Sequence, residues 1–331
     1  MAIVVGVASL SMGSLTISPL HAVSSAFSGL LHPVIAANAD IGSEVVRTLR
    51  LPRTIAGFAC GALLSLAGAL LQILLRNPLA DPYVLGVSGG AATFALAAML
   101  LMWPVWAVDA ASISGAVVAV SIILLVARRA FGRGAASGIA GAGAATPNLL
   151  LAGVVLASGW GALITVMLSL APDNQLRGMV FWLTGDLNGV TQAAPALIAL
   201  AVALAVAMPM APKLNVLLRG EVLAHSLGVA TQPLRLRIIV VASVASAAAV
   251  TTAGTIGFVG LVVPHLIRLC FGNDQRMLLP ASVLAGGTLT MAADLVARSA
   301  LAPIQLPVGA LTALIGVPLF IWILLGRRHR G

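Results

Sequence analysis

Long charge-free runs alternate with short polar breaks along this chain. The runs are rich in Leu, Ala and Gly and show no period-two alternation, which predicts helices rather than the strands of a spanning barrel. Ten runs are candidates to cross a hydrocarbon layer of about 30 Å. They cover residues 2–20, 52–75, 82–103, 110–126, 149–170, 193–208, 238–252, 258–269, 278–297 and 308–325. Residues 172–188 form an amphipathic interlude carrying Arg177, Phe181 and Trp182, expected to lie flat at an interface. The Gly/Ala tract 132–145 is expected to be a loop.

The polar break at 219–237, RGEVLAHSLGVATQPLRLR, gathers arginines, a glutamate and a histidine. Its 221–227 part predicts one or two helical turns, stopped by Gly228 and separated from the next run by Pro233. Such a segment lies outside the hydrocarbon and offers a surface for another protein to grip. The wider stretch 213–237 is read as a cytoplasmic coupling segment within one transmembrane domain, 1–331.

Composition narrows the class further. With 60% hydrophobic and 8% charged residues, the chain is not an ordinary soluble domain. The net charge of +9 comes from arginines at the ends of runs, with one lysine, Lys213, so nucleic acid is not the expected partner. Counting Lys and Arg in the breaks gives thirteen on one side and five on the other, which places both termini in the cytoplasm. Residues 1–20 lack a charged start and are read as a retained span. Cys60 and Cys270 fall in or at the end of apolar runs and act as small hydrophobes.

Catalytic chemistry is sparse. Lys213 follows Pro212 without a glycine-rich lead, so there is no P-loop, and any ATP hydrolysis belongs to another polypeptide. Asp294 precedes Arg298 by four residues, so the two share a helix face as a structural pair or mark an ion-coupling site. Asp81 beside Pro82 reads as a helix cap. His265 follows Pro264 and is placed to bond a carbonyl that the proline frees. His21 and His32 are extracytoplasmic, with a transient ligand role open to them. Arg50, Arg53 and Arg298 sit exposed on the arginine-poor face, where an acidic docking partner or phospholipid headgroups would account for them. Gly57/Gly61 and Gly86/Gly90 have the spacing of tight helix contacts.

Several blocks carry a resemblance. RLPRTIAG (50–57), GALLQILLRNPLADPYVLGVSGGA (68–91), LLLAG (149–153), LGV (227–229), GTIGFVGLVVPHLIRL (254–269), ADLVAR (293–298) and LPVGALTALIGVPLFIWIL (306–324) run in order to near the C-terminus. In these the chain resembles the FecCD family, the permease subunits of type II ABC importers for vitamin B12, iron–siderophores and heme. The resemblance implies an all-α integral membrane protein of about ten spans in the bacterial inner membrane. It also implies a homodimer, two ABC ATPase subunits that bind ATP and magnesium, and a periplasmic binding protein. The chain itself is then no enzyme and holds no cofactor or metal. By the same resemblance Arg50, Arg53 and Arg298 are docking positions for the binding protein. Arg219, Glu221, Ala224, His225, Leu227 and Gly228 are the ATPase-coupling segment, and Ala145, Thr146 and Pro147 fall in the loop of the cytoplasmic gate. Heme is the expected cargo, on the apolar path and scattered histidines, with ferric siderophore or cobalamin as alternatives. An ion-coupled secondary transporter using Asp294 is the rival class.

Overall fold

The computed structural model describes residues 1–13, 17–31, 41–136, 139–302 and 304–326, and among them every regular element is helical. In order these are α1 (Ala2–Ser11), α2 (Pro19–Leu31), α3 (Ile41–Val45), α4 (Leu51–Leu74), α5 (Val87–Leu100), α6 (Val105–Ala136), α7 (Ile139–Leu170) and α8 (Asp173–Thr184). There follow α9 (Ala194–Ala207), α10 (Ala211–Leu218), α11 (Glu221–Ser226), α12 (Thr231–Ala253), α13 (Val259–Phe271), α14 (Gln275–Ser299) and α15 (Val308–Gly326). Among the described residues, six helical stretches are long and apolar enough to span a membrane: Ile41–Leu74, Val105–Arg129, Leu149–Leu170, Ala194–Leu218, Thr231–Ala253 and Gln275–Ser299. Ala2–Ser11, Val87–Leu100, Val259–Phe271 and Val308–Trp322 are shorter apolar helices.

Three expectations need correction. The first run is not one helix. Met12 turns extended at φ −94° and ψ 142°, Gly13 follows, and Pro19 opens α2. At 1.5 Å per residue α1 therefore covers only about 15 Å. The Gly/Ala tract is largely helical rather than a loop, because alanine's helix propensity carries α6 to Ala136 and starts α7 at Ile139. Pro233 does not separate the polar break from the next span; it lies in the first turn of α12, where its missing N–H has no intrahelical partner to lose. Arg235 and Arg237 are accordingly helical.

Helix α4 is the core of the molecule, with almost every residue from Arg53 to Leu74 buried against α9, α12, α13 and α14. Lipid tails are as apolar as leucine, so such burial alone does not hold membrane helices together; close backbone approach does. Gly61 of α4 meets Gly286 and Thr290 of α14, and Gly68 meets the Gly260 carbonyl of α13. Of the other expected glycine contacts, Gly90 faces Gly115 of α6, while Gly86 lies against Gly153 and Leu156 of α7 and also takes φ 72° as a left-handed turn between Pro82–Leu85 and α5.

Irregular backbone at membrane depth must find internal partners. Residues 254–258 are non-helical, and the Tyr83 hydroxyl serves both polar groups of Ile256, accepting from its N–H at 2.8 Å and donating to its carbonyl at 3.0 Å. Pro264 leaves the Gly260 carbonyl without its helical donor. The Gln72 amide reaches that carbonyl at 3.5 Å and the Leu261 carbonyl at 3.1 Å. His265, which the sequence spacing pointed to for such a task, is buried with its ring edge-on to Phe320. Asp81 caps the Pro82–Leu85 turn as expected, accepting from the Tyr83 N–H at 2.8 Å.

Candidate functional site

The charged residues gather at the two ends of α4. At its N-terminal end the helix is entered through a π-helical turn, Val46–Arg50. Pro52 has no N–H to continue the regular ladder, and the Leu51 N–H donates five residues back, to Val46. The turn aims Arg50 and Arg53 into the protein. Arg50 is 5% exposed and donates to the carbonyls of Leu10 and Ser11 at 2.8 and 3.0 Å, capping the open C-terminal end of α1. Arg298 donates to the Ser9 carbonyl and, at 2.7 Å, to the Ser9 hydroxyl.

Asp294 lies between two cations. Arg53 Nε donates to its carboxylate oxygens at 2.9 and 3.2 Å, Arg53 Nη2 stands at 2.8 Å, and Arg298 Nε at 3.6 Å. Arg53 Nη1 also donates to Gln305 Oε1 at 3.1 Å. Asp294 is 1% exposed, which fits the expected structural pair with Arg298. The expected exposure of Arg50, Arg53 and Arg298 is corrected: all three guanidinium groups are folded inward. Sequence spacing did not reveal the Arg53–Asp294 contact, since 241 residues separate the partners.

A cavity of about 1200 Å³ opens beside this cluster, lined among others by Trp106, Asp109, Arg177, Phe181, Asp186 and Gln305. The Arg177 guanidinium lies 5.7 Å from the Phe181 ring centroid on α8, the amphipathic helix expected there. Burial pushes the Asp186 carboxyl above its ordinary range, while the Asn188 N–H and the Arg53 charge pull it down. Gln305 thus belongs both to the arginine cluster and to the cavity wall.

At the other end of α4, the polar break folds as α11 between Gly220 at φ 126° and Gly228 at φ 76°, both in conformations that favour glycine. Ala224 is the buried residue of α11; Val222 and Leu227 are each 62% exposed and His225 and Arg219 are exposed too. Glu221 pairs with Arg235 of α12 and stands 3.8 Å from Arg76, just past the end of α4. Asn215 of α10 donates to Asp274 at 2.7 Å and accepts from the Gln275 N–H, tying α10 to α14. That bond and the Arg276 N–H hold the Asp274 carboxyl below its usual range. Ala145, Thr146 and Pro147 lie within α7 rather than in a loop, and their side chains fall outside the described residues, as does His32.

The FecCD transport family matches residues 1–326. The chain belongs to that family. Among curated FecCD relatives, it is 40% identical over 294 residues to the vitamin B12 import system permease protein BtuC of Klebsiella pneumoniae, covering 88% of this chain and 85% of that protein. The Salmonella typhimurium protein of the same description is 40% identical over 288 residues, at 86% and 84% coverage. A solved metal-chelate type ABC transporter in an inward-facing conformation superposes with a TM-score of 0.82 at 27% identity, covering 98% of this chain and 96% of that one. This FecCD protein is thus a membrane permease of the ABC importer class, with the fold of a type II importer permease. The family is a transport component rather than an enzyme. Nothing among these relatives is described as moving heme. Among the described residues no three His, Cys, Asp or Glu side chains gather as a metal site.

Proposed function

We propose that this chain is the permease through which cobalamin enters the cytoplasm, driven by a separate ATPase. The observation that carries the reading is the 40% identity over 294 residues to a vitamin B12 import permease. It favours the cobalamin alternative over the heme expectation, which rested on apolar runs and scattered histidines. In this reading the chain works as a homodimer in the inner membrane with both termini inside. The Glu221 end of α4 faces the cytoplasm and the Arg53 end faces out. The apolar side chains of Val222, Leu223 and Leu227, exposed on a helix outside the hydrocarbon, supply the surface on which an ATPase subunit sits. The cavity near Gln305, lined by polar and apolar side chains alike, lies in this reading on the side from which a binding protein delivers cargo.

Arg50, Arg53 and Arg298 are the docking residues of this reading. Their guanidinium groups are already held by α1 carbonyls, Asp294 and Gln305, so the acidic residues of a binding protein compete for them rather than finding them free. Residues 145–147 serve as the cytoplasmic gate. Uptake of labelled cobalamin in cells carrying the cognate partners tests the cargo. Excess unlabelled cobalamin is expected to abolish uptake, and heme or a ferric siderophore to leave it unchanged. Competition by heme and not by cobalamin would refute the choice of cargo.

A further inference from the structure

Among the described residues, the ion pairs that tie α11 to the spanning helices run through one carboxylate, that of Glu221. Glu221 opens α11, is largely buried, and is in direct contact with Arg235. The Arg235 side chain is 7% exposed, at the start of α12, and α12 packs along α4 and α9. A second arm reaches Arg76, which holds φ 48° where α4 ends. The two arms differ in strength. Arg76 is 48% exposed and 3.8 Å away, so water screens that pair; Arg235 is buried and in contact, so that pair is stiff. Beside that pair, α11 packs against α10 and α12 with Ala224 buried on its inner face, and Gly220 and Gly228 flank it at positive φ.

We propose that Glu221 and Arg235 are positioning residues that carry motion of the α11 segment into α12 and thence α4, with Arg76 as a weaker second arm. The geometry favours this pair because, on a short helix flanked by glycine at both ends, it is a buried ion pair that ties α11 to a spanning helix. This rests on the transport reading above, because it supposes an ATPase seated on α11.

The test uses the full transporter, assembled with its ATPase and binding protein in proteoliposomes, and reads cobalamin moved per ATP hydrolysed. Glu221→Gln, Arg235→Gln and the double variant are each expected to lower that ratio by about tenfold while ATPase binding persists. The double variant leaves no buried charge unpaired, so it reports on coupling even where a single variant fails to accumulate. Its loss is expected to equal that of a single variant, since the two residues form one link. A double variant that accumulates and couples like the wild type would overturn the inference, as would losses that multiply. The wild-type control keeps the two claims apart. A wild-type chain that recruits no ATPase contradicts the transport reading, whereas an active wild type beside normally coupled variants contradicts the link alone.

Discussion

Asp294→Asn is expected to destabilise the folded chain by about 3–5 kcal/mol, the cost of leaving buried charge without its counter-ion. Asparagine has nearly the same shape, so packing is kept and only the charge is lost. Arg53 and Arg298 would then face each other across a neutral amide, with Gln305 and the Ser9 groups as their remaining described partners. Those bonds have a charged donor and contribute about 1.5–3 kcal/mol each, but they are already made beside the carboxylate and so do not offset its loss. Thermal unfolding of the purified protein in detergent checks this, with a clearly lowered midpoint expected. An unchanged midpoint with transport abolished would instead favour the rival reading of Asp294 as an ion-coupling site.

Gly68→Leu is expected to prevent accumulation of folded protein. A Cβ at this position would strike the carbonyl, carbon and Cα of Gly260, and these are backbone atoms that cannot swing aside. Ordinary overpacking costs about 1–3 kcal/mol when side chains can yield. Here the helices themselves must part, and one turn further along α4 the Gln72 bonds to the Gly260 and Leu261 carbonyls would part with them. Gly159→Leu on α7 is the control, because nothing lies within 4 Å of a Cβ added there. Comparing the amounts of both variants in extracted membranes decides the matter. Equal accumulation would mean that α4 and α13 do not meet as described.

Much of the architecture was legible because the bilayer imposes its own period. Charge-free runs of span length mark the helices. Boundaries were harder to read. A proline such as Pro233 reads as a break, but it is harmless in a helix's first turn, and the sequence does not say which of the two applies. The Ala-rich tract at 132–145 reads as low complexity and yet has the residue with the best helix propensity.

The candidate sites divide along a similar line. Asp294 and Arg298, four apart, announce themselves as a pair, and the Glu221–Gly228 segment stands out as polar among apolar runs. Arg53–Asp294, Tyr83–Ile256 and Gln72–Gly260 join residues more than 170 positions apart, and no local pattern encodes them. A partial signal did exist for Gln72. It is a lone amide in an apolar helix, and Pro264 guarantees that some carbonyl nearby lacks its donor. Pro52 marks the irregular entry that aims Arg50 and Arg53, but the groups that receive them, the Leu10 and Ser11 carbonyls and Asp294, are 39 to 241 positions away.

The most direct test of the central claim, that this permease moves only as its ATPase does, is cobalamin accumulation in proteoliposomes with and without the ATPase subunit. The account predicts accumulation that requires the ATPase, the binding protein and ATP together. Accumulation by this chain alone, driven by an ion gradient, would contradict it.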